Sequence, residues 1–348
     1  MLTSNNINIS SRSPLTSPKA IKSELPLSLD AVAKVIESRR EICDILDRKS
    51  KKFMMIVGPC SIHNSNAALE YARKLNELRK KVSDRIFIVM RVYFEKPRTT
   101  IGWKGLIYDP EINGSYNIEH GIFVARKLLL QIVDMGLPVG TEMLDLIIPQ
   151  YLADAVSWAA IGARTTESQT HRQLASGLSM PVGFKNATDG NVQIAIDAIS
   201  TANSEHSFIG VTEQGQIGVF RTTGNSYGHI VLRGGNQPNY SAEYIAFLKV
   251  ALKKANIKCG IIVDCSHANS NKQYELQRDA LQDIVEQVKE GEDHIVGAML
   301  ESNLKPGSQK ILIGETPDPE VSITDSCIGW DETEELIMSV YESLKDRK

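Results

Sequence analysis

The strongest constraint in the chain is a design repeated eight times, in which a short apolar run halts at a charged or metal-binding side chain. Residues 54–57 lead to Cys60, 86–90 to Arg91, 138–141 to Glu142 and 159–163 to Arg164. Residues 181–184 lead to Lys185, 230–232 to Arg233, 261–265 to His267 and 295–300 to Glu301. Helical patterns separate the runs at 66–82, 118–135, 149–158, 168–177, 191–202, 242–255 and 274–289, and a last one covers 332–344. Strand and helix alternating in this way require a parallel sheet. Eight units that each deliver a reactive group at the C-terminal end of a strand predict an α/β fold, the (β/α)8 TIM barrel, with its site on that face.

Three segments stand apart from the rhythm. Residues 1–27, rich in Ser, Asn and Pro, read as an extended N-terminal arm without a core of its own. From Ser28, an N-cap, Val32, Val35, Ile36, Ile42, Cys43 and Leu46 mark an amphipathic helix that covers the barrel bottom or joins a subunit contact. Two β-like runs within 206–222, flanking Glu213-Gln214-Gly215, read as a hairpin inserted before the strand that ends at Arg233. The organisation expected is an arm over 1–27 and a single catalytic barrel over 28–348, with 206–222 free for regulation or assembly.

Composition narrows the function. A formal charge of −3 with mixed signs gives no general attraction to nucleic acid or an anionic membrane. No apolar stretch approaches the ~20 residues of a membrane span and no secretory leader opens the chain, so a cytoplasmic protein is expected. Five cysteines, odd in number and without paired spacing, argue against a disulfide framework. Neither a phosphate-binding P-loop nor a dinucleotide glycine fingerprint is present.

The strand-end groups sort into two kinds. Cys60, His267, Glu301 and Asp325, the last in the loop after the eighth strand, are a thiol, an imidazole and two carboxylates. A mixed soft and hard set suits one divalent transition metal (Mn, Fe, Zn, Co or Cu) better than Mg or Ca. Each alone is weak evidence, since a strand cysteine is usually core, but barrel closure gathers strand ends. Arg91, Lys96, Arg98, Arg164, Lys185 and Arg233 form a cation set suited to a doubly anionic substrate, or to two phosphorylated ones. Glu142 and His171 are left to orient a water or to neutralise a neighbouring Arg.

At these positions the chain closely resembles the class I, bacterial-type 3-deoxy-D-arabino-heptulosonate 7-phosphate (DAHP) synthases. The resemblance rests on Gly58-Pro59-Cys60-Ser61-Ile62-His63, on residues 90–100 (MRVYFEKPRTT), on residues 162–169 (GARTTESQ) and on Pro181-Val182-Gly183-Phe184-Lys185-Asn186. Leu232-Arg233-Gly234-Gly235, Asp264-Cys265-Ser266-His267 and Ser322-Ile323-Thr324-Asp325 extend it along nearly all of the chain after the arm. Pro319-Glu320-Val321 stands where relatives commonly have a Tyr-Gly pair, so the loop carrying Asp325 is expected to be set differently.

The resemblance implies condensation of phosphoenolpyruvate with erythrose 4-phosphate, the opening step of the shikimate pathway. It implies metal ligation by Cys60, His267, Glu301 and Asp325 and phosphoenolpyruvate binding by Arg91, Ala163, Arg164, Lys185 and Arg233. Erythrose 4-phosphate falls to Lys96, Pro97, Arg98 and Thr99; the catalytic groups expected from these parts are Lys96, polarising the aldehyde, and Glu142 or His267, activating the water. It also implies feedback inhibition by an aromatic amino acid held near Leu146, Pro149, Gln150, Leu174, Leu178, Ser179, Phe208, Gly210 and Phe220. Gly210 in place of a bulkier Ser leaves room for a phenolic hydroxyl, so tyrosine is the expected effector and phenylalanine the second choice. Homodimers or homotetramers are implied as well. The competing readings are a 3-deoxy-octulosonate 8-phosphate synthase, against which the Lys96-Pro97-Arg98-Thr99 run speaks, and a non-catalytic barrel that senses phosphorylated metabolites.

Overall fold

Helix and strand alternate along the computed structural model, which describes residues 4–311 and 316–345. Helices α1 (Pro18–Glu24) and α2 (Leu29–Leu46) precede β1 (Phe53–Gly58), α3 (Ser65–Val82), β2 (Ile86–Arg91), α4 (Ile118–Asp134), β3 (Val139–Glu142) and α5 (Pro149–Leu152). There follow β4 (Trp158–Ile161), α6 (Gln169–Gly177), β5 (Val182–Lys185) and α7 (Gln193–Ala202), then an interruption by β6 (His206–Val211) and β7 (Ile217–Thr222). The series ends with β8 (Gly228–Leu232), α8 (Ala242–Lys254), β9 (Ile261–Asp264), α9 (Gln277–Lys289), β10 (Ile295–Glu301) and α10 (Trp330–Ser343). Eight strands close into a parallel barrel in the order β1-β10-β9-β8-β5-β4-β3-β2, and β6 and β7 form a separate two-stranded sheet. The TIM barrel expected from the strand-end pattern is therefore the fold, with β8 as its sixth strand.

The strands are apolar throughout because both of their faces are covered. Inward side chains Met54, Ile56, Val89, Trp158, Ala160, Val231, Ile262 and Met299 form one cluster; Ile42, Ile45 and Leu46 of α2 complete it, so this helix plugs the barrel bottom. Outward side chains join the helices in a second, larger cluster. Ser28 accepts the Ala31 N–H at 3.1 Å and starts α2 as an N-cap should. Arg39 of α2 donates to the carbonyls of Ala153 and Val156 at 2.7 Å, locking the plug under β4.

Two local departures have plain causes. The helix expected over 149–158 makes one α turn to Leu152 and then a 3-10 turn, Ala153–Ala155. Carbonyls that would continue it are taken by arginines: Tyr151 O by buried Arg126 at 2.6 Å, and Ala153 O and Val156 O by Arg39. The fourth strand stops at Ile161 because the Thr165 and Thr166 N–H groups fold back onto Gly162 O at 3.0 and 2.9 Å. Arg164 consequently stands in a turn and is exposed.

Within the segment read as an extended arm, 18–24 is helical and docked. Lys19 N–H donates to Glu213 O at 2.7 Å at the hairpin tip, Lys22 pairs with the Glu213 carboxylate at 2.9 Å, and Tyr151 donates to Thr16 O at 2.8 Å. The hairpin is tied to α6 by Ser176 and Thr222, whose hydroxyls lie 2.7 Å apart. No described helix is long and apolar enough to cross a membrane.

One buried polar pair sits on the inner face. Trp158 Nε1 donates to His229 Nε2 at 2.9 Å, and His229 Nδ1 lies 3.1 Å from Tyr227 O. An indole only donates, so this ring is neutral with its proton on Nδ1. Burial lowers its pKa from 6.5 to about 4, the Tyr227 carbonyl opposing. A base depressed in the folded state contributes stability above pH 6.5 that is lost as pH falls toward 4. Denaturant unfolding between pH 7 and 4.5 is expected to show a loss approaching about 3 kcal/mol in the wild type that is absent from His229→Gln. Parallel pH dependences in the two proteins would exclude this histidine as the cause.

Candidate active site

The seam of the barrel brings the metal-type side chains together. β1 pairs with β10 so that Gly58 faces Glu301, and β2 lies on the other side of β1. Cys60 Sγ lies 3.4 Å from Asp325 Oδ2, and the nearest donor atoms of Cys60, Glu301 and Asp325 all fall within 4.8 Å of one another. The altered residues ahead of Ser322 thus leave Asp325 at the seam. His267 stands beside this trio, its Nε2 4.0 Å from Glu301 Oε1. It is held in the left-handed region at φ 57°, a conformation that costs a non-glycine residue energy and tends to occur where geometry is under demand.

Two of the ligand-type groups, Glu301 and His267, are oriented from behind. The Glu301 carboxylate accepts from Arg91 Nη2 and Ser266 Oγ, both at 3.0 Å. Its backbone is clamped by Gln277, which accepts the Glu301 N–H at 2.8 Å and donates to its carbonyl at 3.0 Å. His267 Nδ1 lies 3.0 Å from Asp264 Oδ2, close enough for charge pairing though off the line of a hydrogen bond. Nε2 is thereby left facing Glu301. A carboxylate behind a ring nitrogen is the usual support of a metal-binding histidine, so four donors of mixed softness, supported in this way, fit a divalent transition metal. Burial and the neighbouring Glu301 push the Cys60 thiol up to about 12, against the pull of Lys96. Burial works against ionised Asp325, but Lys96 and His267 outweigh it and hold the carboxyl below its ordinary range.

The cations line the same mouth. Lys96 Nζ lies 3.0 Å from Cys60 Sγ; burial opposes its charge, but Cys60, Glu301 and Asp325 keep its pKa raised. Arg91, fully buried, stacks 4.0 Å from the Tyr93 ring centre. Lys185 pairs with Asp264 at 2.7 Å. Arg233 is within electrostatic reach of Asp264 and of Arg164, and burial lowers its pKa. Arg98 donates to Trp103 O at 2.8 Å and faces Asp325. Pro97 and Thr99 follow on the same loop, and Ala163 occupies the turn after β4.

Glu142 ends β3 almost completely buried, and its Oε1 has no hydrogen-bond partner among the described residues. A Cβ on Gly162 would lie 2.3 Å from that oxygen, so the glycine makes room for the carboxylate. His171 Nε2 donates to Leu144 O at 2.8 Å and its Nδ1 lies 2.9 Å from Ser168 Oγ, which gives it a bracing position between two loops.

The positions expected to hold an effector lie in neighbouring elements. Leu146, Pro149 and Gln150 lie at α5, and Leu174, Leu178 and Ser179 at the end of α6, which packs on the hairpin. Phe208 and Phe220 stack at 5.7 Å across the hairpin, and a Cβ on Gly210 would come within 3.0 Å of the Phe220 ring.

Three supporting residues escape the sequence reading. Asp264 closes β9 and obeys the strand-end rule, but carrying that run on to His267 passes over it. Ser266 lies inside a motif without any sign of its role. Gln277 opens a helix 24 residues before the backbone it clamps, and no sequence signal marks it.

Comparison with known proteins finds relatives along nearly the whole chain. The profile of the DAHP synthetase I family matches residues 24–338. The chain is 48% identical over 344 residues to the Tyr-sensitive phospho-2-dehydro-3-deoxyheptonate aldolase of Escherichia coli K12, covering 98% of this chain and 96% of that one. It is 49% identical over 334 residues to the Phe-sensitive enzyme of the same strain, covering 96% and 95%. The solved structure of phospho-2-dehydro-3-deoxyheptonate aldolase from Francisella tularensis SCHU S4 superposes with a TM-score of 0.95 at 46% identity, covering 98% of this chain and all of that one.

The clamp on Glu301 is open to test. Gln277→Ala is expected to weaken binding of Mn2+ to the apoprotein by about 10- to 100-fold, the usual cost of losing a group that orients a ligand. Titration of apoprotein with the metal reads this directly. An unchanged affinity would show that Glu301 holds its position without the clamp.

Proposed function

Because the chain belongs to the DAHP synthetase I family, we infer that it condenses phosphoenolpyruvate with D-erythrose 4-phosphate and water to give DAHP and phosphate. This is the first step of the shikimate pathway, feeding aromatic amino acid biosynthesis under feedback control by an aromatic amino acid. The observation that carries the reading is the convergence of the Cys60, Glu301 and Asp325 donors with Lys96 and a basin of arginines at one barrel mouth.

In this reading Arg91, Arg164, Lys185 and Arg233, with the Ala163 backbone, hold phosphoenolpyruvate. Arg forks grip its phosphate and carboxylate, and their charge offsets the repulsion of a second phosphorylated substrate. Lys96, Pro97, Arg98 and Thr99 hold erythrose 4-phosphate. Cys60, His267, Glu301 and Asp325 would hold a divalent transition metal, which when bound would supply Lewis-acid polarisation of the aldehyde. Lys96, beside Cys60, donates to the aldehyde oxygen as C3 of phosphoenolpyruvate forms its bond to C1 of the sugar. Water adds to C2, where positive charge has developed, and the free Oε1 of Glu142 accepts its proton, with His267 as the second group in reach of the mouth. Cleavage of the C2–O bond then releases phosphate and leaves the ketone.

The effector is tyrosine, held among Leu146, Pro149, Gln150, Leu174, Leu178, Ser179, Phe208, Gly210 and Phe220. Support comes from the lack of a side chain at Gly210, where a Cβ would stand 3.0 Å from the Phe220 ring, so that a residue larger than glycine would crowd the stacked Phe208 and Phe220. Similar overall identity to Tyr- and Phe-sensitive relatives leaves this choice to the pocket itself. The five unpaired cysteines suit a reducing cytoplasm. Assembly is as a homodimer or homotetramer, which sedimentation equilibrium distinguishes from a monomer.

Purified protein is expected to consume phosphoenolpyruvate with erythrose 4-phosphate and not with arabinose 5-phosphate, and to stop on chelation and resume with metal. Glu142→Gln is expected to lower kcat by about 100-fold or more. Turnover with the five-carbon sugar, or none in protein loaded with metal, would refute the assignment; an undiminished kcat would remove Glu142 from it. Tyrosine is expected to inhibit at concentrations where phenylalanine acts weakly and tryptophan not at all, and Gly210→Ser to raise the tyrosine needed by about ten-fold, a loss of roughly 1.4 kcal/mol. Inhibition by phenylalanine or tryptophan in the absence of any tyrosine effect would overturn this choice.

A further inference from the structure

The loop that carries Lys96, Pro97, Arg98 and Thr99 has both of its ends fastened to one acid on the next strand's loop. At its start, Glu95 Oε1 accepts the Asp145 N–H at 3.2 Å. At its end, the Tyr108 hydroxyl donates to Asp145 Oδ2 at 3.0 Å. Asp145 is itself fixed, because its Oδ1 accepts the Ile147 N–H at 2.7 Å. Within the loop, Lys96 N–H donates to Lys104 O at 2.9 Å. Gly105, at φ +110°, lets Phe94 O approach to where a Cβ would stand only 2.2 Å away. Moving either end from Asp145 therefore moves the Lys96–Thr99 segment as a body.

The chemistry of the fastening is unusual for a structural tie. Glu95 is 3% exposed, and its company is Asp145, Glu142, Tyr108 and the N–H groups of Leu144 and Asp145. Among the described residues no Lys, Arg or His pairs with Glu95 or Asp145. Two carboxyls so close without a cation cannot both ionise cheaply. Tyr108 gives its only proton to Asp145, so its oxygen is open to accept one from Glu95.

We infer that Glu95, Tyr108 and Asp145 form a clasp around one retained proton, and that this clasp positions the Lys96–Thr99 loop for the sugar phosphate. Glu95 O–H faces the Tyr108 oxygen, and Tyr108 O–H faces the Asp145 carboxylate. Glu95 is thus a positioning residue, in an inference that rests on the assignment of Lys96, Pro97, Arg98 and Thr99 to erythrose 4-phosphate. Burial and then Asp145 push the Glu95 carboxyl up to about 8, so the proton stays through neutral pH. An acid raised in the folded state favours the fold at low pH, and that contribution is lost as pH rises from 4.5 to about 8. Once the proton goes to solvent, two unpaired carboxylates repel and the loop ends part.

Steady-state kinetics from pH 6.5 to 9.5 test this, with each substrate varied in turn. In the wild type the KM for erythrose 4-phosphate is expected to rise above pH 8, by up to about ten-fold per pH unit for one linked proton, while the KM for phosphoenolpyruvate stays level. Glu95→Gln, which keeps the shape and cannot ionise, is expected to abolish that rise. Asp145→Asn, which keeps the oxygen that caps the Ile147 N–H but removes the charge and turns the Tyr108 hydroxyl toward Glu95, is expected to move its midpoint to lower pH. An identical rise in Glu95→Gln, or an unmoved midpoint in Asp145→Asn, would overturn the clasp. Should Glu95→Gln not fold, difference infrared spectra of the wild type against Asp145→Asn decide alone: a protonated-carboxyl band must vanish near pH 8 in the first and lower in the second, and its absence overturns the inference. Lack of any wild-type turnover at pH 7 would instead count against the substrate assignment, and the infrared titration would still judge the clasp.

Discussion

The register of β1 against β10 is the constraint on which the rest depends. It joins the first and last strands of the barrel and sets Gly58 opposite Glu301, with Ser302 N–H donating to Gly58 O at 2.9 Å. Only that pairing brings Cys60 to Glu301, and only the neighbouring place of β2 lets Arg91 reach across to the same carboxylate. A slip of one residue would turn Glu301 outward, since side chains alternate along a strand. Parallel strands joined through helices make such slips costly, because the alternate side chains fill the inner and outer cores.

The second determinant is charge held without water. Arg91 and Glu301 are both buried, as are Lys185 and Asp264. Such pairs contribute little net stability, because desolvation cancels most of their attraction, but losing one partner leaves a buried charge alone and is strongly destabilising. Their value here is orientation. Asp264 attracts Arg91, Lys185 and Arg233 together, so three cations are held close to one another by one buried acid. Repulsion among them is settled during folding rather than at binding.

Much of this was legible in the residues. Strand ends announced themselves because parallel strands are apolar up to the point where the active face begins, and Cys60, Arg91, Glu142, Lys185, Arg233 and Glu301 all stand there. Arg164 obeyed the pattern only loosely, since Gly162 turns the chain before it. What stayed hidden is what depends on distance in space. Gln277 is one amide among many until its helix is seen against the Glu301 backbone. Glu95 reads as a charged residue in a polar loop, and only packing reveals it as buried among acids. The helix expected over 149–158 was cut short by Arg126 and Arg39, whose appetite for carbonyls no local propensity expresses. The same holds for the arm, whose docking to Glu213 is a long-range event.

The α2 plug has a consequence for traffic. With Ile42, Ile45 and Leu46 filling the floor, and Trp158 and the strand side chains above them, the barrel is closed at its bottom among the described residues, and the mouth is the doorway. Two anionic reactants, a water, a seven-carbon product and inorganic phosphate must all use it. Whichever molecule lies deepest has to come first and leave last, so the order of events at the mouth is written into a hydrophobic helix at the opposite end of the molecule.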